Sequence, residues 1–254
     1  MPTSTSADAR ILVVLPALNE ERTVALVVKE VQAAIPEASV LVVDDGSVDR
    51  TREQAISAGA QVVTNPFTLG VGGAMRVGFR VAESHGYDVL LQVDADGQHD
   101  ARDIRLLLAQ LDDEPGPQIV IGARFAGQED FAVPRARRAA MRILARHLSR
   151  VTKTRLTDVT SGFRAHNRAA IELFAHTYPA DYLSDTIESL IIVADAGGRI
   201  HQVPVTMRPR LAGSPSQSPG RAALYLLRVM LVLALSVFRR HSYAAAKPPT
   251  MEAM

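Results

Sequence analysis

Val89-Leu90-Leu91-Gln92-Val93 runs directly into Asp94-Ala95-Asp96-Gly97-Gln98-His99. An apolar run of strand length ends in two carboxylates one residue apart, followed by glycine and polar groups. In an α/β sheet a buried strand delivers ligands at its carboxyl end, where the loops form a crevice. Two acids there, with no basic residue beside them in sequence, need a cation or a hydrogen-bond network to offset their repulsion. Hard oxygen donors suit Mg²⁺ or Mn²⁺ better than a soft metal. The competing reading is that Asp94 and Asp96 shape a turn and cap a helix beginning near Asp100.

Working outward, further apolar runs of strand length occur at 11–15, 40–43, 61–64 and 119–121. Between them, 20–34, 49–58, 72–84 and 103–111 carry helical spacing. Strands alternating with helices predict an α/β fold, a mostly parallel sheet flanked by helices and wound by right-handed crossovers. The second half predicts an Arg-rich helix over 134–151, helices near 168–175 and 184–196, and a strand over 201–207, with loops at 128–133 and 211–220.

A chain of 254 residues is long enough for one large α/β domain, and 47% hydrophobic with 22% charged residues is ordinary for a globular protein. A formal net charge of +1 gives no case for nucleic-acid binding. The absence of cysteine excludes disulfides and thiolate metal sites, which favours an intracellular enzyme. Met1 to Arg10 lacks the apolar core of a signal peptide. Residues 1–9 and 244–254 are expected to be disordered, with a catalytic domain over 10–214 and a loop plus helix over 215–243.

The segment 222–238 is apolar except for Arg228 and Ser236. Seventeen helical residues rise about 26 Å, short of the roughly 30 Å hydrocarbon core. Arg221, Arg228 and Arg239 fall on nearly one stripe, and Arg239-Arg240-His241 flank the end. That pattern fits an interfacial helix better than a span. Packing on its own domain or on a second subunit, which would make a homodimer, are the other readings.

Three more strand ends are polar. After 11–15 comes Pro16-Ala17-Leu18-Asn19-Glu20, after 40–43 comes Asp44-Asp45-Gly46-Ser47, and after 119–121 comes Gly122-Ala123-Arg124. Polar loops on one edge of a parallel sheet describe a ligand crevice. Leu69-Gly70-Val71-Gly72-Gly73-Ala74 invites a dinucleotide-binding reading, which fails: the third glycine position falls on Met75, and the segment follows the third strand. These glycines suit a tight helix entry with backbone close to a ligand.

Taken together, P-x-x-N-E, V-V-D-D-G-S-x-D-x-T, L-G-x-G-G-A, D-A-D-G-Q-H, G-A-R-F and D-V-T-S-G-F-R-A resemble the family 2 glycosyltransferases with the GT-A fold. The group most similar is the polyprenyl-phosphate hexosyltransferases of the dolichyl-phosphate mannose synthase type. The resemblance implies that Pro16, Ala17, Leu18 and Glu20 line a nucleoside pocket, with Asp45 near the base or ribose and Gly70 and Ala95 against the donor. It implies a divalent cation, Mg²⁺ or Mn²⁺, held on the donor diphosphate by Asp94, Asp96 and Gln98. Arg124 would face the acceptor phosphate together with one of Arg135, Arg137 and Arg138. Ser161, Gly162, Phe163 and Arg164 would wall the transferred sugar, and Arg210 would close over the phosphates.

This chain departs from the group's pattern at four places. Thr68 stands where a basic residue precedes the Leu-Gly pair, Leu18 where an aromatic residue is often found, and Pro215 where lysine is common. Many relatives end in two clear membrane spans, against one marginal segment here. The resemblance implies an inverting, metal-dependent transfer of hexose from a GDP-mannose or UDP-glucose type of donor to polyprenyl phosphate. Such an enzyme would work at the cytoplasmic face of a membrane, as a peripheral protein. With a hydroxyl acceptor a base is required, and Asp185, near Glu188, is the candidate, although an acid at a helix N-terminus is also explained by the dipole. A nucleotide-binding regulatory protein without catalysis is the reading from another class.

Overall fold

The computed structural model describes residues 9–111, 116–124, 135–179 and 185–209, with the backbone alone at 124 and 135–141. Expectations for 1–8, 128–133, Arg210, the loop at 211–220, the helix at 222–238 and the tail lie outside the described residues.

The expected strands form at β1 (Ile11–Ala17), β2 (Ser39–Asp44), β3 (Gln61–Thr64), β4 (Val89–Gln92), β5 (Ile119–Arg124) and β7 (Ile200–Val205). A further strand, β6 (Arg164–Asn167), completes one seven-stranded sheet in the order β3-β2-β1-β4-β6-β5-β7. Six strands are parallel, whereas β6 runs antiparallel between β4 and β5. The carboxyl ends of the six and the entry to β6 therefore share one edge. β1 and β4 are apolar along almost their whole length because helices cover both faces. The edge strand β7 tolerates Pro204, whose missing N–H costs least there.

The helices are α1 (Val24–Ala34), α2 (Thr51–Ser57), α3 (Gly70–Ser84), α4 (Ile104–Leu111), α5 (Arg135–Val151), α6 (Arg168–Thr177) and α7 (Asp185–Asp195). A short 3₁₀ turn, Ala101–Asp103, leads into α4 and is capped by Asp100, which accepts from the Arg102 N–H. One face of the sheet packs Val13, Leu15, Val42 and Leu91 against Val27, Val28, Ile104 and Leu107 of α1 and α4. The opposite face meets α3, where a Cβ at Gly78 would lie 2.8 Å from Val14, so the helix backbone rests directly on β1. Phe79, Phe174 and Tyr178 pack around the His166 side of β6.

β6 carries two ionisable side chains into that layer. Arg164 is fully buried, donating from Nε to Ser161 O, from Nη1 to Ser189 Oγ, and from Nη2 to Val159 O and Thr186 O. It ties the segment before β6 to the first turns of α7. His166 donates from Nδ1 to Leu90 O, while Nε2 is buried with no hydrogen-bond partner. Burial, reinforced by the Arg164 charge, pushes its pKa down to about 3.

Two outcomes are expected. Unfolded histidine takes up a proton near 6.5, whereas folded His166 stays neutral until about 3. Its contribution is therefore complete above pH 6.5 and is lost as pH falls towards 3. Urea titrations should show the stability difference between wild type and His166→Leu shifting by about 2 kcal/mol in the variant's favour between pH 7 and pH 5. Arg164→Met should cost on the order of 3 kcal/mol in the same assay, because it takes the guanidinium from the buried Val159 and Ser161 carbonyls.

Candidate active site

The edge where the parallel strands end carries the loops that follow β1, β2 and β4. At β1, Asn19 adopts a left-handed φ of 56°, and its Oδ1 accepts from the Val48 N–H at 2.9 Å. The Asn19 N–H donates to Ser47 Oγ and the Glu20 N–H to Thr51 Oγ1. These bonds lock the β1 and β2 loops together around Pro16, Ala17, Leu18 and Glu20. Ala17 is buried, whereas Leu18 is exposed at the rim.

Asp45, expected near the base or ribose, has its carboxylate turned inward. Oδ1 accepts from Asn65 Nδ2 at 2.8 Å and the Leu69 N–H at 2.9 Å, and Oδ2 from the Gly70 N–H at 2.7 Å. Asp45 thus anchors the start of α3, where a negative charge also meets the positive end of the helix dipole. Gly70 makes this possible with a φ of 83°, which L side chains rarely adopt. Its backbone approaches Asp45.

The Asp94–Asp96 loop has a different character. Asp96 is buried, and its Oδ1 accepts from the Gln98 N–H at 3.0 Å, which is the turn role foreseen for it. Neither acid caps the next helix, since Asp100 does that. The Asp94 side chain stays 40% exposed, and its Oδ2 lies 3.7 Å from His99 Nε2. The Asp94 N–H donates to His99 Nδ1 at 3.3 Å, so the neutral ring carries its proton on Nε2, facing the carboxylate. His99 itself is buried and stacks on Phe163 with centroids 4.8 Å apart.

Gly162 closes on the same acid. A Cβ there would lie 2.8 and 3.0 Å from the Asp94 oxygens and 3.2 Å from Gln92 Nε2. Only glycine leaves that carboxylate in place. Phe163 and Arg164, expected to wall the sugar, are both fully buried. Phe163 supports His99, and Arg164 holds the Ser161 carbonyl and α7, so both act from within. Ser161 is buried too, its Oγ accepting from the Phe163 N–H.

Arg208, two residues before Arg210, is stitched to this loop. Its backbone N–H donates to Gln98 O, Met207 bridges His99, and its guanidinium reaches both oxygens of Glu30 and Asp100 Oδ1. Arg102 and Arg208 hold the Asp100 carboxyl well below the usual carboxylate range. Arg124 ends β5 and Arg137 lies in α5; their side chains are outside the described residues. Asp185 opens α7, buried, with Tyr178 OH 3.5 Å from its Oδ2. Burial pushes its pKa up, and the Arg164 charge opposes that shift.

Sequence reasoning gave no role to His99, Gln92 or Arg208. The one available signal was Gln92, a polar residue within an apolar run. The side chains of Asp94, Asp96 and Gln98 offer oxygen donors, the kind a hard cation prefers. Among the described residues no three His, Cys, Asp or Glu side chains converge as a closed metal cage.

Residues 12–174 match the family described as glycosyl transferase family 2. The chain is 32% identical over 225 residues to the undecaprenyl-phosphate mannosyltransferase of Micrococcus luteus, covering 83% of this chain and 88% of that protein. It is 32% identical over 178 residues to polyprenol monophosphomannose synthase of Mycolicibacterium smegmatis, covering 67% and 66% of the two chains. Glucosyl-3-phosphoglycerate synthase of Mycobacterium tuberculosis, crystallised with Mn²⁺, uridine diphosphate and glucosyl-3-phosphoglycerate, superposes with a TM-score of 0.68 at 26% identity, covering 91% of this chain and 80% of that one. The same enzyme with Mg²⁺ and uridine diphosphate gives 0.67 at 25%, covering 91% and 79%. Sequence match, shared GT-A architecture and an acidic pair at the sheet edge agree: the chain belongs to glycosyl transferase family 2 and is a glycosyltransferase.

Proposed function

We propose that this enzyme moves a hexose, with inversion, from a nucleoside diphosphate sugar of the GDP-mannose or UDP-glucose type to polyprenyl phosphate. The observation that carries this reading is the solvent-facing Asp94 carboxylate, wedged against Gly162 beside Asp96 at the strand ends. The similarity to the undecaprenyl-phosphate mannosyltransferase supports the acceptor.

In this reading Asp94, Asp96 and Gln98 hold Mg²⁺ or Mn²⁺ against the donor diphosphate. A bound divalent cation there supplies Lewis-acid charge worth several kcal/mol to the departing nucleoside diphosphate. Pro16, Ala17, Leu18 and Glu20 orient the nucleoside. Arg124, Arg137 and Arg210 grip phosphate oxygens, for which the guanidinium fork is well shaped. The acceptor phosphate is already anionic at neutral pH, so its oxygen needs placement behind the anomeric carbon rather than a base. The new carbon–oxygen bond forms on one face as the bond to the diphosphate breaks on the other. A polyprenyl acceptor brings the site to a membrane surface at the cytoplasmic face, and residues 222–238 are the segment proposed to lie there. Among the described residues no helix is long and apolar enough to cross a membrane.

A second reading uses a hydroxyl acceptor, with Asp185 as base; its raised pKa is the observation that favours it.

Purified protein with Mn²⁺ and undecaprenyl phosphate should transfer radiolabelled hexose from one of GDP-mannose and UDP-glucose into the organic phase. Asp94→Asn and Asp96→Asn should each lower that rate at least about a hundredfold. Failure with every common nucleotide sugar sinks the lipid acceptor. With a lipid acceptor Asp185→Asn should retain measurable turnover, whereas abolished turnover would favour the hydroxyl reading. Gly162→Ala should weaken Mn²⁺-dependent nucleoside diphosphate binding about tenfold by calorimetry, by displacing Asp94.

A further inference from the structure

Gln92 is 1% exposed, and neither atom of its side-chain amide has a hydrogen-bond partner. A buried amide left unsatisfied costs about 1–3 kcal/mol. An amide in that state, in an otherwise apolar strand, calls for a partner. Its surroundings limit the choice. In register, Gln92 sits between Val14 of β1 and Arg164 of β6. Val14 is apolar, and the Arg164 guanidinium is turned away to Ser161, Val159, Thr186 and Ser189. Asp94 follows two residues on, just past the end of β4, and Gly162 faces both side chains. The one spot that a Cβ on Gly162 would occupy is flanked by both Asp94 oxygens and by Gln92 Nε2. Amide donor and carboxylate thus border a common space that the missing side chain of Gly162 keeps open.

We propose that Gln92 is a positioning residue for Asp94, its Nε2 donating to the carboxylate oxygen turned away from the cation in the loaded site. The inference rests on the cation reading above. A carboxylate that binds a hard cation through one oxygen is oriented by a hydrogen bond to the other, and such supporting bonds typically change metal affinity 10–100-fold. In the cation-free protein the amide is an unsatisfied group, so its removal relieves strain on the fold. Gln92 therefore sets metal affinity against stability, which a residue with a purely structural role would not do.

The test uses the full-length protein and Mn²⁺ with uridine diphosphate and guanosine diphosphate in turn, reading free Mn²⁺ by electron paramagnetic resonance. Gln92→Leu, and Gln92→Met as a second variant of similar length, should raise the Mn²⁺ dissociation constant about tenfold. In the same proteins without metal, the urea midpoint should hold or rise. Wild-type affinity in both variants, or a lowered midpoint with unchanged affinity, overturns the proposal. Asp96→Asn separates the two levels: Mn²⁺ binding that needs Asp96 but not Gln92 sinks the role of Gln92 alone. Wild-type protein that binds no Mn²⁺ with either nucleotide overturns the cation reading and this one with it.

Discussion

Strand β6 runs against the direction of its neighbours, and the spacing of the candidate site depends on that reversal. An antiparallel strand between β4 and β5 enters the sheet at the edge where the parallel strands end. The residues just before it, Ser161 and Gly162, therefore lie beside the residues just after β4, Asp94 and Asp96. A parallel strand in that position would bring its amino end to the opposite edge and leave Asp94 without this wall. The contact is tight enough that one methyl group on Gly162 would collide with the carboxylate. Arg164 then holds the wall in place from inside, through the Val159 and Ser161 carbonyls and the first turn of α7.

The acids at this edge differ in how far they are buried and in how many internal partners hold them. Asp45 is satisfied by two backbone N–H groups and Asn65, with the α3 dipole behind them. Asp100 is held by Arg102 and Arg208, so its charge is neutralised locally. Asp185 is buried beside Tyr178, in the field of Arg164. Asp94 keeps much of its side chain at the surface, backed by the proton-bearing nitrogen of His99. Carboxylates with dense internal partners build the loops, whereas the Asp94 side chain stays 40% exposed at the edge.

Most of the scaffold was legible because hydrophobic period reports burial directly. Among the described residues, six of seven strands and all seven helices lie where the apolar runs and helical spacing put them. β6 was not legible, since Arg164-Ala165-His166-Asn167 has no apolar run and reads as a polar loop. It forms because Arg164 finds four internal acceptors and His166 stays neutral, two long-range facts that no local window contains. The same limit applies to Asp45. Its motif marks a loop at a strand end, yet the position of the α3 N-terminus, 25 residues later, decides what its oxygens bind. The acidic pair at the end of β4 was visible because both carboxylates and their loop lie within one short segment.

The approach to Arg210 is anchored where the candidate donor site is built. The Arg208 N–H is bonded to Gln98 O, and Met207 is bridged to His99, so β7 leaves the sheet across the Asp94–Asp96 loop. Arg124 closes β5, the strand paired with β7, with Arg124 opposite Val205 in register. The exit of β7 is thus held by pairing with β5 as well as by its bonds to Gln98 and His99. Order imposed on backbone at folding is entropy that later binding no longer has to remove, and Gln98 and His99 impose it on Met207 and Arg208.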